Sequence, residues 1–197
     1  MSRARIGDKP LIVITHSLGT LIFKRILEYA NKGDPRLQSL KDNLKGVIFI
    51  SGPNKGVSFM KELKKDLRFM CQLPRFDSLG SLAVSQDEAL DYIMATLHYS
   101  KTTYYMARNS KAKLEKLQAN FDSMKIKGMT ISEGKLSRLG PMNTKVMIVD
   151  KEETIMKGYP NIHIESKNHS EINKVKDEHD PTLISISQFI DESFNKK

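Results

Sequence analysis

A chain of 197 residues with 39% hydrophobic and 28% charged content is long enough for one domain with a sizeable core, and too apolar for a disordered segment. Its single cysteine, Cys71, excludes an internal disulfide and a cysteine-rich zinc site. No apolar run approaches the length of a membrane span, and the opening to Ile6 is followed by Gly7, Asp8 and Lys9 instead of a signal-peptide core.

These features point to an intracellular protein, cytoplasmic or associated with an organelle membrane, with no signal peptide or transmembrane segment. The net charge of +9 concentrates in two stretches. One holds Lys55, Lys61, Lys64, Lys65, Arg68 and Arg75; the other holds Lys101, Arg108, Lys111, Lys113, Lys116, Lys125 and Lys127. Both read as amphipathic helices whose lysines form a solvated face, with contact to an anionic membrane surface as the second reading. No zinc-finger spacing, phosphate loop or basic-aromatic strand motif is present, which argues against nucleic acid as a partner.

The first element is a charge-free run, Leu11-Ile12-Val13-Ile14-Thr15, that predicts a buried strand. His16-Ser17-Leu18-Gly19 follows as a tight turn, and Leu18, Leu21, Ile22, Ile26 and Tyr29 then recur on one face of a predicted helix, with Lys24, Arg25 and Glu28 off its centre. Asn31 to Pro35 supplies the stop. A serine at a sharp strand-to-helix turn is lifted above the carboxyl edge of a sheet, the placement of a nucleophile. The Leu18 N–H lies at the N-terminus of the helix, where unsatisfied donors and the helix dipole favour a developing oxyanion. The alternative is a serine that merely caps the helix, and the turn leaves both readings open. Thr15 stands where a glycine is usual; it is small enough to be tolerated, although a β-branched residue there adds crowding to a strained turn.

Gly46-Val47-Ile48-Phe49-Ile50-Ser51 predicts a second strand covered on both faces, so that strand, helix and strand form a parallel crossover. From Val57 to Gly128 the pattern is helical and basic, and it is read as a cap or lid inserted over the carboxyl edge of the sheet, or as plain helical packing at the domain edge. Strands are predicted again over 129–133, 145–150 and 161–166, punctuated by Gly134, Gly140-Pro141 and Gly158-Tyr159-Pro160. A final helix is predicted from Pro181 to Phe194, with Leu183, Ile184, Ile186, Phe189 and Ile190 on its inner side.

Ser17 after one strand, carboxylates after a later strand and His169 after the last follow the serine, acid, histidine order of an α/β-hydrolase triad. In that chemistry an imidazole takes the serine proton and returns it to the leaving group, while a carboxylate fixes its tautomer. Of the five histidines, His169 is the one placed for this role.

The chain here resembles the lipase-like α/β hydrolases of the serine active site containing protein type, whose hydrolase domains are often linked to NACHT, ankyrin or tetratricopeptide modules. Thr15-His16-Ser17-Leu18-Gly19 is similar to that family's Gly-His-Ser-Leu/Met-Gly elbow. Val47 to Gly56 is similar to its apolar strand and Thr-Pro-His-Arg-Gly loop, with Asn54 in place of the histidine. Ile131-Ser132-Glu133 and Val146 to Glu152 resemble the strand ending in an acid and the segment after it. Ile162 to Lys174 with Asp180-Pro181 resembles the terminal Asp-His-Ser-x-x-Lys and Asp-Pro signature.

The resemblance implies Ser17 as nucleophile, His169 as general base and acid, and the Leu18 backbone as an oxyanion donor. For the acid, Glu133 is the first choice and Asp150 the alternative, with Glu152 and Glu153 behind them; a solvated strand-end carboxylate is the ordinary role for either. His16 and His163 receive no triad role, and His98 and His179 are incidental.

Only nine residues precede Pro10, whereas the resemblance implies several strands and a second oxyanion loop before the elbow. The expectation is a single partial α/β-hydrolase domain over 1–197, first strands absent, with a helical cap over 57–128. Loss of one oxyanion donor costs about two to three orders of magnitude in turnover, or roughly 3–4 kcal/mol. An unpaired edge on the first strand would offer a site for a protein partner. The function implied is hydrolysis of carboxylic esters of lipids or acyl groups, without cofactor or metal. The alternative is an inactive hydrolase-like module that binds a protein or an anionic membrane surface.

Overall fold

A computed structural model describes residues 8–55, 111–139 and 144–194. Its centre is a four-stranded parallel sheet in the order β1-β2-β3-β6, built from β1 (Leu11–His16), β2 (Leu44–Ile50), β3 (Lys127–Glu133) and β6 (Asn161–Ile164). Each new strand joins the outer side of the one before it. The carboxyl ends of β1, β2 and β3 align through His16↔Ile50 and Ile50↔Ile131, which brings the residues after these strands to a common edge.

Helices cover both faces, so the chain is an α/β protein. On one face, α1 (Gly19–Asn31), α2 (Gln38–Asn43) and α3 (Lys111–Ser123) bury Phe23, Leu27, Leu40 and Phe121 against Val47 and Phe49 of β2. Phe121 meets Phe49 edge-on, ring centroids 5.3 Å apart, an arrangement that adds about 1 kcal/mol to simple burial. On the other face, Phe189 of α5 (Pro181–Phe194) packs on Ile48, Ile50, Met129, Ile131 and Ile164. Alternate residues of β2 thus serve opposite cores, which is why its apolar run is unbroken. Gly46 is needed beneath α5, because a Cβ there would lie 2.7 Å from the Phe189 ring.

The buried face of α1 differs from the expected stripe. Ile22 and Tyr29 are about half exposed, whereas Lys24 and Glu28 are buried with Thr20, Leu21, Phe23 and Leu27. The reason is that α1 touches α3 as well as the sheet. Lys24 lies in that seam, donating to Asn54 Oδ1 and Gln118 Oε1, each at 2.6 Å, with its ammonium 5.2 Å from the Phe49 ring centre. Desolvation lowers its pKa from 10.5 to about 7, against a smaller opposing pull from Asp122. Ile184 of α5 is likewise exposed, contrary to the expected inner side.

Of the helical segment expected over 57–128, residues 57–110 lie outside the described residues, as do Cys71 and His98. Residues 111–123 form α3, which flanks the sheet beside α1, and β3 already begins at Lys127. Lys113 and Lys116 are on the exposed face of α3.

The strand expected over 145–150 is not part of the main sheet. Only β5 (Thr144–Val146) is extended, and it pairs antiparallel with β4 (Ser137–Leu139) as a separate hairpin. The N–H groups of Ile148 and Val149 donate instead to Glu133 Oε1, at 3.1 and 3.2 Å. A buried carboxylate has taken the donors that a ladder would use, and the chain then turns into α4 (Lys151–Thr154). Among the described residues, no helix is long and apolar enough to cross a membrane.

Candidate active site

β1 ends where the backbone of Ser17 flips to φ 54°, a left-handed conformation that costs a non-glycine residue about 1–2 kcal/mol. The Ser17 N–H still donates to Ile50 O at 2.9 Å, so the ladder between β1 and β2 holds the turn on one side. Leu18 is already helical, with φ −63° and ψ −20°, and α1 starts at Gly19. Among the described residues, the Leu18 N–H meets no hydrogen-bond acceptor. It is one of the unsatisfied donors at a helix start, where the dipole favours negative charge.

Thr15 is accommodated in the turn, as its size suggests. Its hydroxyl donates to Ile48 O at 3.4 Å and lies 3.1 Å from the Thr20 hydroxyl, so the side chain is tucked under the first turn of α1. A Cβ added at Gly19 would sit 3.8 Å from Thr15 Cβ, an ordinary contact. The tight approach lies elsewhere: a Cβ on Gly52 would come 2.3 Å from Thr20 Oγ1, so the loop after β2 passes α1 only as glycine. Ser51, just before it, also has positive φ, 42°, and its buried hydroxyl has no partner among the described residues.

His169 comes to Ser17 from a loop after β6. Its Nε2 accepts from Ser17 Oγ–H at 2.9 Å, and its Nδ1–H donates to Glu133 Oε2 at 2.6 Å. Glu133 is fully buried at the end of β3, and its other oxygen is the one bound to Ile148 N and Val149 N. A carboxylate can accept from all three N–H groups, which compensates its removal from water. The ring therefore has one proton arrangement that serves both neighbours: donor to Glu133, acceptor from Ser17. Such a ring can take the serine proton on Nε2 and return it while its tautomer stays fixed.

Asp150 does not join this group. Its carboxylate accepts from Glu152 N at 3.0 Å, Glu153 Oε2 accepts from Asp150 N at 3.0 Å, and the two form a capping box at the start of α4. His163 Nδ1 is 2.9 Å from Ser132 Oγ, and His179 is exposed beside Glu178. Among the described residues, no group of histidine, cysteine and carboxylate side chains is gathered in a way that could hold a metal ion.

Several supports of His169 have no role assigned to them by the motifs. Its N–H donates to Ser137 Oγ at 3.3 Å, and its carbonyl accepts from His16 Nε2–H at 2.9 Å. Asn168 Oδ1 accepts from Ser170 N and Glu171 N, closing the turn around it. Lys167 is buried with Asp180, donating to both carboxylate oxygens at 2.6 Å and to Lys174 O at 2.8 Å. Burial raises the pKa of Asp180, but the bonds from Lys167, Lys176 N and Thr182 N outweigh it and leave the group at about 2. Only the pairing of a loop lysine with the Asp-Pro that starts the last helix could have hinted at this clamp.

The chain is similar over part of its length to Protein SERAC1 of several vertebrates. It is 38% identical to the Mus musculus protein over 84 residues, which is 43% of this chain and 12% of that protein. It is 42% identical to the Danio rerio protein over 67 residues, 34% of this chain and 10% of that protein. For the Homo sapiens protein the figures are 33% over 84 residues, again 43% of this chain and 12% of that protein. The matched stretch thus spans about a tenth of the length of these relatives. No family model matches the chain. No solved structure matches it.

Proposed function

We propose that the chain is a serine hydrolase that cleaves carboxylic esters of lipids or acyl groups, with Ser17 as nucleophile, His169 as general base and acid, and Glu133 as the acid that orients it. The observation that carries this reading is the unbroken hydrogen-bond chain from Ser17 Oγ through His169 to Glu133. The partial similarity to Protein SERAC1 and the α/β architecture support the same class.

The mechanism follows from the geometry. Ser17 Oγ attacks the ester carbonyl carbon as its proton moves to His169 Nε2, and the carbonyl oxygen gathers negative charge near the Leu18 N–H. The imidazolium is stabilised by Glu133. Collapse of the tetrahedral species breaks the carbon–oxygen bond, and the leaving alcohol takes the proton from His169. A water then gives its proton to His169 and attacks the acyl-serine, and Ser17 Oγ leaves with that proton. Every proton returns to its starting place, so the cycle needs no other proton carrier.

Hydrolysis of p-nitrophenyl esters with acyl chains of two to sixteen carbons tests this. The expected result is saturable release of p-nitrophenol that rises with chain length and is lost in Ser17→Ala. Release that survives Ser17→Ala at the wild-type rate would assign the reaction to another group. A folded chain that releases nothing from any ester would favour a noncatalytic role.

A further inference from the structure

His16 is the residue immediately before Ser17, and its ring lies against the ring of His169, centroids 4.7 Å apart and tilted by 39°. Its Nε2–H donates to the His169 carbonyl at 2.9 Å, and its Nδ1 accepts from the Asn173 side-chain amide at 3.4 Å. A carbonyl oxygen only accepts, so this pair of bonds places the proton on Nε2 and leaves Nδ1 as acceptor. The ring is neutral: burial foremost, then the nearby His169, hold its pKa below the ordinary 6.5, against weaker opposite effects of the His169 carbonyl and Glu133. A neutral ring at this distance adds no repulsion when His169 acquires a proton.

The segment that carries His169 is a turn, not a strand or helix, so the orientation of its imidazole depends on the contacts that hold it. Ser137, Asn168 and Lys167 fix the backbone from the β4 and α5 sides. His16 holds it from β1, the strand that also presents Ser17. One dipeptide therefore carries both the serine hydroxyl and a brace on the ring that accepts its proton.

We propose that His16 is a positioning residue for His169, holding its carbonyl and packing on its ring so that Nε2 meets Ser17 Oγ while Nδ1 meets Glu133. The effect on rate rests on the serine-hydrolase reading above; the effect on the ring does not. Misplacing a base by about 1 Å lowers a rate by up to about a hundredfold, so loss of this brace is expected to reduce reaction at Ser17 by at least about tenfold.

The test combines two readouts on the wild-type chain, His16→Phe and His16→Gln. Proton NMR follows the downfield His169 Nδ1–H bound to Glu133, and the second-order rate of phosphonylation by a fluorophosphonate follows Ser17. His16→Phe keeps a ring without the donor, and His16→Gln keeps a donor of similar reach. The expected result is a broadened resonance and slowed phosphonylation in His16→Phe, with both largely recovered in His16→Gln. Unchanged resonance and rate in both variants would overturn the proposal, as would a wild-type spectrum lacking that proton. If the resonance responds as expected while even the wild type is not phosphonylated, the positioning stands and the hydrolase reading fails. Should His16→Phe not fold, His16→Ala, which removes ring and donor together without added bulk, is read in the same way.

Discussion

Glu133 divides its two oxygens between His169 and the backbone: Oε2 accepts from His169 Nδ1 at 2.6 Å, and Oε1 accepts from Ile148 N and Val149 N. The consequence is a directional test of the acid. In Glu133→Gln the amide oxygen is expected to stay with the two backbone donors, turning its NH2 towards His169 and forcing the wrong tautomer. Ester hydrolysis should fall by about three to four orders of magnitude with the fold retained. Asp150→Asn, by contrast, alters only a helix cap, and should cost about 1 kcal/mol or less in urea unfolding with little change in rate. The opposite ranking would make Asp150 the acid.

The strain at Ser17 gives a prediction about stability. With φ at 54°, a glycine is free of the penalty that any Cβ incurs there. Ser17→Gly and Ser17→Ala both remove the hydroxyl bonded to His169, so their difference isolates the backbone term. Ser17→Gly is expected to be more stable than Ser17→Ala by about 1 kcal/mol in equilibrium urea unfolding, and both should be inactive. Equal stability would mean that the turn carries no such strain.

Lys24 ties stability to alkaline pH. Its folded pKa, about 7, lies below the unfolded 10.5, so between these values the unfolded chain binds the extra proton and stability rises with pH. Below about 7 the full cost of the buried charge is present. Lys24→Met should flatten the rise in urea midpoint between pH 7 and pH 10, whereas a surface change such as Lys113→Met should leave it intact. A wild-type midpoint that stays level across this range would show that the buried amine is not desolvated.

Asp180 acts at the other end of the scale. Its folded pKa, about 2, is below its ordinary 3.8, so the stability it contributes is present above pH 4 and is lost as pH falls through that interval. Lys167→Met leaves the carboxylate buried with only its backbone donors and is expected to cost about 3 kcal/mol. Because Lys167 is two residues from His169, hydrolysis should also fall more than stability alone explains. A variant as stable as wild type would show that the Lys174 carbonyl and Asp180 do not need the ammonium.

The main sheet was legible where apolar runs are long: Leu11–Thr15, Val47–Ile50 and Met129–Ser132 all form its strands, and β2 and β3 are buried because both faces of the sheet are covered there. β1, expected to be buried, lies at the edge of the described sheet and leaves Ile14 46% exposed. The turn at Ser17 and the placement of His169 and Glu133 after later strands were equally readable from order along the chain. The run Val146-Met147-Ile148-Val149 misled for a physical reason: its backbone donors are claimed by a carboxylate fifteen residues earlier, which no periodicity reports. The helical pattern places Lys24 and Glu28 off the centre of the apolar face of α1, yet both are buried. The amides of Asn54 and of Gln118 on α3 make burial possible for Lys24, and Arg25 and Lys32 pair with Glu28. The contact of His16 with His169 joins residues 153 apart and has no local signature.

Ser17 as the nucleophile is tested by fluorophosphonate labelling of the purified chain, with the modified residue located by mass spectrometry and with Ser17→Ala and His169→Gln in parallel. One label per chain is expected, on Ser17, and none in either variant while both remain folded. A folded wild-type chain that takes no label, or takes it at another residue, would contradict the assignment of Ser17, His169 and Glu133 as a catalytic unit.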